Sequence, residues 1–204
     1  MMAIDLQKGQ RITLRKSNGG QLQHICVGVN WGAIEHKRLS GSIEKEAVDL
    51  DVSCILFDNS KHKREVVYFA NLRSTDGAIV HSGDDLTGDI DGDDGLDNEI
   101  ITVDFSKLHP AVAQIAFVLN SFQGHDFGTI PFAAIRLYEG SSSRVHEVFA
   151  SYNIAKGAGF SGHTAMVLGT FYKKNNEWKF NAIGEPSKDH QLEETIITVQ
   201  QKYL

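Results

Sequence analysis

In the stretch AVDLDVSCILFD, residues 47–58, apolar and polar side chains alternate. Val48, Leu50, Val52, Cys54 and Leu56 share one face, and Asp49, Asp51 and Ser53 share the other. A period of two marks a β-strand with one face in a core, and here the opposite face begins with two carboxylates. Runs of this kind recur, bounded by Gly, Asn, Asp and Ser. They predict about ten strands, at 11–14, 22–31, 47–57, 65–69, 100–104, 114–121, 133–138, 145–150, 165–172 and 178–183. Such a series points to an all-β sandwich or barrel.

Helix is scarce. The tail QLEETIITVQQKYL places Leu192, Ile196, Val199 and Tyr203 on one helical face and predicts a short C-terminal amphipathic helix. SKLHPAVAQ, 106–114, predicts a helical turn with Ser106 as its cap and Pro110 near its start. HKRLSGSIEK (36–45) and GSSSR (140–144) read as surface loops of one domain spanning residues 1–204, a length that buries an ordinary core without staples.

Composition changes this picture in one place. Apolar content of 41% and charge of 23% are globular values. The net charge of −6 is concentrated: residues 84–99 hold eight of the 26 acids, and the remaining 18 face 20 bases. Acidity therefore belongs to one segment, HSGDDLTGDIDGDDGLDNEI, residues 81–100. No basic stripe accompanies it, so nucleic acid is not expected as a partner. Cys26 and Cys54 lie in strand-like runs and read as small buried hydrophobes. The N-terminal MMAIDLQKGQ lacks the pattern of a leader, and no run of apolar residues is long enough to span a bilayer, so a cytoplasmic location is expected.

Crowded carboxylates repel one another, by about 1 kcal/mol per close pair even in water. A cation among them removes that cost. Residues 84–99 supply oxygen ligands without His or Cys, together with glycines that let the backbone turn. That set describes a hard-cation site for calcium in preference to zinc or copper, with enough acids for two ions. Another divalent ion, or a solvated loop that binds nothing, are the alternatives. The loop is not an EF-hand. Counting from Asp89, Asp94 occupies the place of the turn glycine, Glu99 falls one position early, and the flanks read as strands.

HSGDDLTGDIDGDDG followed by EIITVDFSKL resembles the signature of the TerD family of tellurium-resistance and bacterial stress proteins, with TerZ-type members the most similar. VGVNWGAIE (27–35), VDLDVSCILFD (48–58), FVLNSFQGHDF (117–127), GHTAMVLGTFY (162–172) and EWKFNAIGEPSKD (177–189) extend the likeness over nearly the whole chain. The resemblance implies a β-sandwich of two mainly antiparallel sheets with a long acidic calcium-binding loop. It implies a role in tellurite resistance and stress response without catalytic activity. On the family's acidic motif, the metal ligands are Asp84, Asp85, Asp89, Asp91, Asp93, Asp94 and Glu99, with Asp85 standing where many members carry Asn. Asp49 and Asp51 match its Asp-Leu-Asp strand as candidates to complete the coordination from outside the loop. There are two departures. Gly32 follows Trp31 where many members have Asp, and Gly95, Leu96, Asp97 and Asn98 separate the acidic core from Glu99. That insertion makes Asp97 or a backbone carbonyl the alternative to Glu99 as a ligand.

Other motifs are weaker. His24, His81 and His163 are expected in buried or hydrogen-bonded structural roles. No GxSxG nucleophile elbow occurs, and NGGQ at 18–21 lacks the lysine of a phosphate loop. The leading expectation is a non-enzymatic calcium-binding protein that acts with other Ter-family proteins or a membrane-associated complex. A calcium-dependent adaptor for a membrane surface or protein partner is the second reading, and a metal-assisted phosphoester hydrolase the third. An oxyanion is repelled by so acidic a loop, and buried cysteines are poor reductants, so any tellurite resistance is expected to be indirect.

Overall fold

The computed structural model describes residues 4–15, 19–153, 159–175 and 177–204; Asn18 of the NGGQ stretch lies outside them. In chain order the strands are β1 (Ile4–Asp5), β2 (Arg11–Thr13), β3 (His24–Trp31), β4 (Ile34–Lys37), β5 (Ile43–Glu46), β6 (Leu50–Phe57) and β7 (Lys63–Val67). They continue with β8 (Ile79–His81), β9 (Glu99–Asp104), β10 (Gln114–Ser121), β11 (Ala133–Ser141), β12 (Arg144–Asn153), β13 (Ala165–Lys174) and β14 (Glu177–Ser187), and helix α1 (Leu192–Lys202) follows. One six-stranded sheet runs β1-β12-β11-β3-β9-β8 and the other β2-β14-β13-β10-β6-β7. Pairing within the sheets is antiparallel except for β1 beside β12.

The alternation in β6 explains the layering. Leu50, Val52, Cys54 and Leu56 enter the core between the sheets with Val27, Val29, Trp31, Ile101 and Phe117. Ile55 and Phe57 point the other way, into a second cluster with Ile196 and Val199 of α1. The second sheet is thus covered on its outer face by the helix predicted from the tail, with Leu192 and Tyr203 packed at the edge of the same cluster. Asp51 and Ser53 share that outer face at the end of β6 that β7 does not reach, since β7 pairs only from Cys54 to Phe57.

All ten predicted strands are present. Two segments differ from expectation. Residues 36–45 are not a loop but the tip and arms of the β4–β5 hairpin. This ribbon has almost no buried face and is laced instead by the Arg38 to Glu44 ion pair and the His36 to Glu46 hydrogen bond, so it carries no apolar period. Residues 106–113 form turns rather than a helical turn, and Gln114 opens β10. Asp104 Oδ1 accepts the N–H and hydroxyl of Ser106, which ends β9 in a side-chain-closed turn. Both cysteines are free and buried. Among the described residues, no helix is long and apolar enough to cross a membrane.

Candidate metal centre

The acidic loop joins β8 to β9 and is fastened along the end of β3. Asp89 N–H donates to the Trp31 carbonyl at 3.0 Å and Asn98 N–H to Val29 at 2.9 Å. Asn98 Oδ1 takes the Trp31 N–H at 2.8 Å. The indole of Trp31 is fully buried and donates to the Val48 carbonyl at 2.8 Å, locking the start of the Asp49–Asp51 segment to the same post. Gly88 crosses this ring at φ +60°, and a Cβ there would stand 2.6 Å from the indole. The glycine is required both by its backbone and by its neighbour.

The fold draws the carboxylates into two groups. Asp49, Asp51 and Asp84 form one and Asp89, Asp93 and Asp94 the other, each with one oxygen per residue inside 4.8 Å of the others. Asp49 Oδ1 and Asp89 Oδ2 are buried oxygens without a hydrogen-bond partner, one in each group. A buried acceptor left without a donor costs about 1–3 kcal/mol, so each group is incomplete as it stands. Burial, and then the charges of Glu99, Asp49 and Asp84, push Asp51 up to about 7. Burial followed by Asp84, Glu99 and Asp85 raises Asp49. Asp89 is raised by burial first, its Asn98 bond opposing, with Asp94 and Asp93 adding to the rise. Both groups therefore favour a positive charge, whether a proton or a metal ion. The donors are hard oxygens, which fits calcium.

The remaining predicted ligands are placed differently. Asp85 Oδ1 accepts the N–H groups of Thr87 and Gly88, folding the loop. Asp91 is exposed and belongs to neither group. Glu99 is fully buried: Oε2 accepts the Val52 N–H at 2.8 Å and Oε1 the Asp85 N–H at 3.2 Å. His81 lies 3.5 Å from Glu99 Oε2 and is buried, and His163 bonds the Ser161 carbonyl, both as expected, whereas His24 stays on the surface near Asp104. Asn98 and Asn30, which sequence reasoning passed over, donate to Asp89 Oδ1 and Asp93 Oδ1, each at 3.2 Å. Their only sequence signal is a position in the loop, for Asn98, or on the strand that holds it, for Asn30.

The TerD domain family model matches residues 2–197. The chain belongs to the TerD family. It is 36% identical to the stress response protein SCP2 of Bacillus subtilis, over 96% of this chain and 98% of that one. It is 31% identical to the tellurium resistance protein TerZ of Serratia marcescens, over 94% of each. The solved structure of a homologue of telluride resistance protein (TerD) from Streptomyces coelicolor A3(2) superposes with a TM-score of 0.62, covering 82% of this chain and 92% of that chain at 19% identity.

Against the TerD pattern, both departures have a structural cause. At Gly32 a Cβ would stand 2.5 Å from the Phe132 ring, so an Asp there requires that ring to shift. The GLDN insertion is an anchor rather than slack. Asn98 ties the loop to β3 as described, and Asp97 is buried against Arg136, with Nε at 2.7 and 2.9 Å from its two oxygens. Asp97 is thereby committed to an ion pair and joins neither carboxylate group.

Proposed function

We propose that this TerD-family chain is a non-enzymatic calcium-binding protein of a bacterial stress response of the tellurite-resistance type, acting in the cytoplasm. One ion is held by Asp49, Asp51 and Asp84 and a second by Asp89, Asp93 and Asp94. The observation that carries this reading is the pair of three-carboxylate groups, each with a buried oxygen that lacks a donor. Calcium takes roughly six to eight oxygens in a tolerant geometry, so each triad supplies part of a shell that backbone carbonyls and water complete. Bound calcium offsets the mutual repulsion of the carboxylates and orders the loop against β3. Resistance is indirect. Burial raises the thiols of Cys26 and Cys54, Cys54 the more strongly, which leaves little thiolate to reduce an oxyanion. Calorimetric titration and thermal melting with calcium test the proposal: heat and a higher Tm are expected, and neither at millimolar calcium overturns it.

A second reading, a calcium-dependent adaptor for a membrane surface or another Ter-family protein, is favoured by one feature. Leu86, Leu96 and Phe122 are exposed apolar side chains close in sequence to the carboxylate groups or bonded to them, Phe122 N–H donating to the Asp49 carbonyl. Sedimentation with anionic vesicles, with and without chelator, distinguishes it.

A further inference from the structure

On the outer face of the second sheet, beyond Asp51, lies a cavity of about 360 Å³ of which the calcium reading uses only Asp51. Its floor is Asp51 and Asn120, its wall is the aromatic series Tyr68, Phe69 and Phe122, and Glu193 of α1 stands at its rim. No Lys or Arg lines it, and Ser53, His190, Gln191 and Leu192 complete the lining. The rings form an edge-to-face chain, Tyr68 to Phe69 at 5.3 Å and Phe69 to Phe122 at 6.0 Å, and Phe122 is 67% exposed. Tyr68 and Phe69 are half-buried, and Phe122 is the open end of the series, in the same lining as the Asp51 carboxylate.

Asn120 supplies the independent observation. It is only 7% exposed, and its Nδ2 donates to Thr195 Oγ1 at 2.9 Å. Thr195 Oγ1 spends its own proton on the Gln191 carbonyl, so it must accept here, which fixes the orientation of the amide. The other arm, Oδ1, is buried without a donor. Beside Ser53, His190 and Gln191, the cavity thus offers two carboxylates, Asp51 and Glu193, and the aromatic faces. The positive end of α1 also borders it, but Glu193 and Glu194 already occupy that first turn, Glu194 accepting the His190 N–H at 2.8 Å.

We propose that this cavity binds an organic cation, a primary ammonium or guanidinium on an aliphatic stem. Asn120 Oδ1 and Asp51 accept its N–H groups, and the Phe69 and Phe122 rings flank its charge and stem. The same head group occurs on a free diamine and on a lysine or arginine side chain of a partner. The site shares Asp51 with the first carboxylate group but does not depend on calcium.

The test is an NMR titration with calcium chelated, so that its result is independent of the calcium reading. The probes are 1,4-diaminobutane, agmatine, end-blocked Gly-Lys-Gly and Gly-Arg-Gly peptides, and the neutral isostere 1-pentanol. Shifts confined to Tyr68, Phe69, Asn120 and Phe122 are expected with the cations and not with the alcohol. A response to the amines alone assigns a small-molecule ligand, and a tighter response to the peptides assigns a protein side chain. Phe122→Ala, at an exposed position that leaves folding intact, is expected to weaken binding about fivefold. No shifts with any cation, equal shifts with pentanol, or unchanged affinity in Phe122→Ala would overturn the proposal.

Discussion

Glu99 Oε2 accepts the N–H of Val52 at 2.8 Å, and His81 Nε2 donates to the carbonyl of the same residue at 3.0 Å. His81 Nδ1 accepts the Gly83 N–H, which leaves the ring proton on Nε2 for that bond. Two side chains from the first sheet therefore take the place of the strand that β7 does not extend to this stretch of β6. Glu99→Ala strands the Val52 and Asp85 N–H groups and is expected to cost about 3 kcal/mol. Glu99→Gln keeps one acceptor oxygen and costs less, with calcium stoichiometry unchanged. Urea denaturation measures both; a cost near zero for Glu99→Ala would contradict the role.

The pH dependence follows from Asp51, held at about 7 when folded against an ordinary value of about 4. Between those values the folded chain keeps a proton that the unfolded chain has released. Its contribution to stability is complete below pH of about 4 and is lost as pH rises through about 7. With calcium chelated, Tm is therefore expected to fall from mildly acidic to mildly alkaline pH, and Asp51→Asn to flatten that slope. Calcium displaces the proton. Calorimetry at pH near 6 in buffers of different ionisation enthalpy is expected to show proton release, which disappears in alkaline buffer.

The two carboxylate groups are separable. Asp49→Asn removes one charge from the group with Asp51 and Asp84, and Asp93→Asn one from the group with Asp89 and Asp94. Each is expected to abolish one calcium equivalent and leave the other. Without calcium, Asp49→Asn is expected to raise Tm, because the repulsion from Asp84, Glu99 and Asp85 that it relieves exceeds the attraction to His125 that it loses. At free calcium a hundred times Kd, a site contributes about 2.7 kcal/mol, which the matching variant loses. Loss of both equivalents in either variant would show a single shared site.

The strands were legible because burial on one side writes a period of two into them, and α1 because its apolar face follows the helical period. The β4–β5 hairpin was not, because its arms are charged outward and only Ile34 is buried. Within the loop, side-chain carboxylates take four roles: ligand candidate, turn closure at Asp85, strand substitute at Glu99 and ion-pair partner at Asp97. Nothing local separates these. The distinction comes from β3, β6 and β11, which approach the loop only after the sheets form. The alternation in β6 did place Asp49 and Asp51 on one face, but their meeting with Asp84 is a tertiary fact.

Asp97 and Arg136 give the sharpest test of the loop's anchorage. The Asp97 side chain is only 2% exposed, and Gly28 makes its room: a Cβ there would stand 2.0 Å from Asp97 Oδ2. Burial raises the Asp97 carboxyl while Arg136 opposes the rise. Arg136→Ala leaves a buried carboxylate without its cation and is expected to cost about 3–5 kcal/mol. Asp97→Asn in the same chain removes the stranded charge and is expected to recover much of that loss. Asn98, next in sequence, holds Asp89, so Arg136→Ala should weaken calcium at the group of Asp89, Asp93 and Asp94 and spare that of Asp49, Asp51 and Asp84. Thermal melting reads the first effect and calcium calorimetry the second. Equal weakening of both groups would show that the Asp97 pair stabilises the sandwich at large rather than the loop.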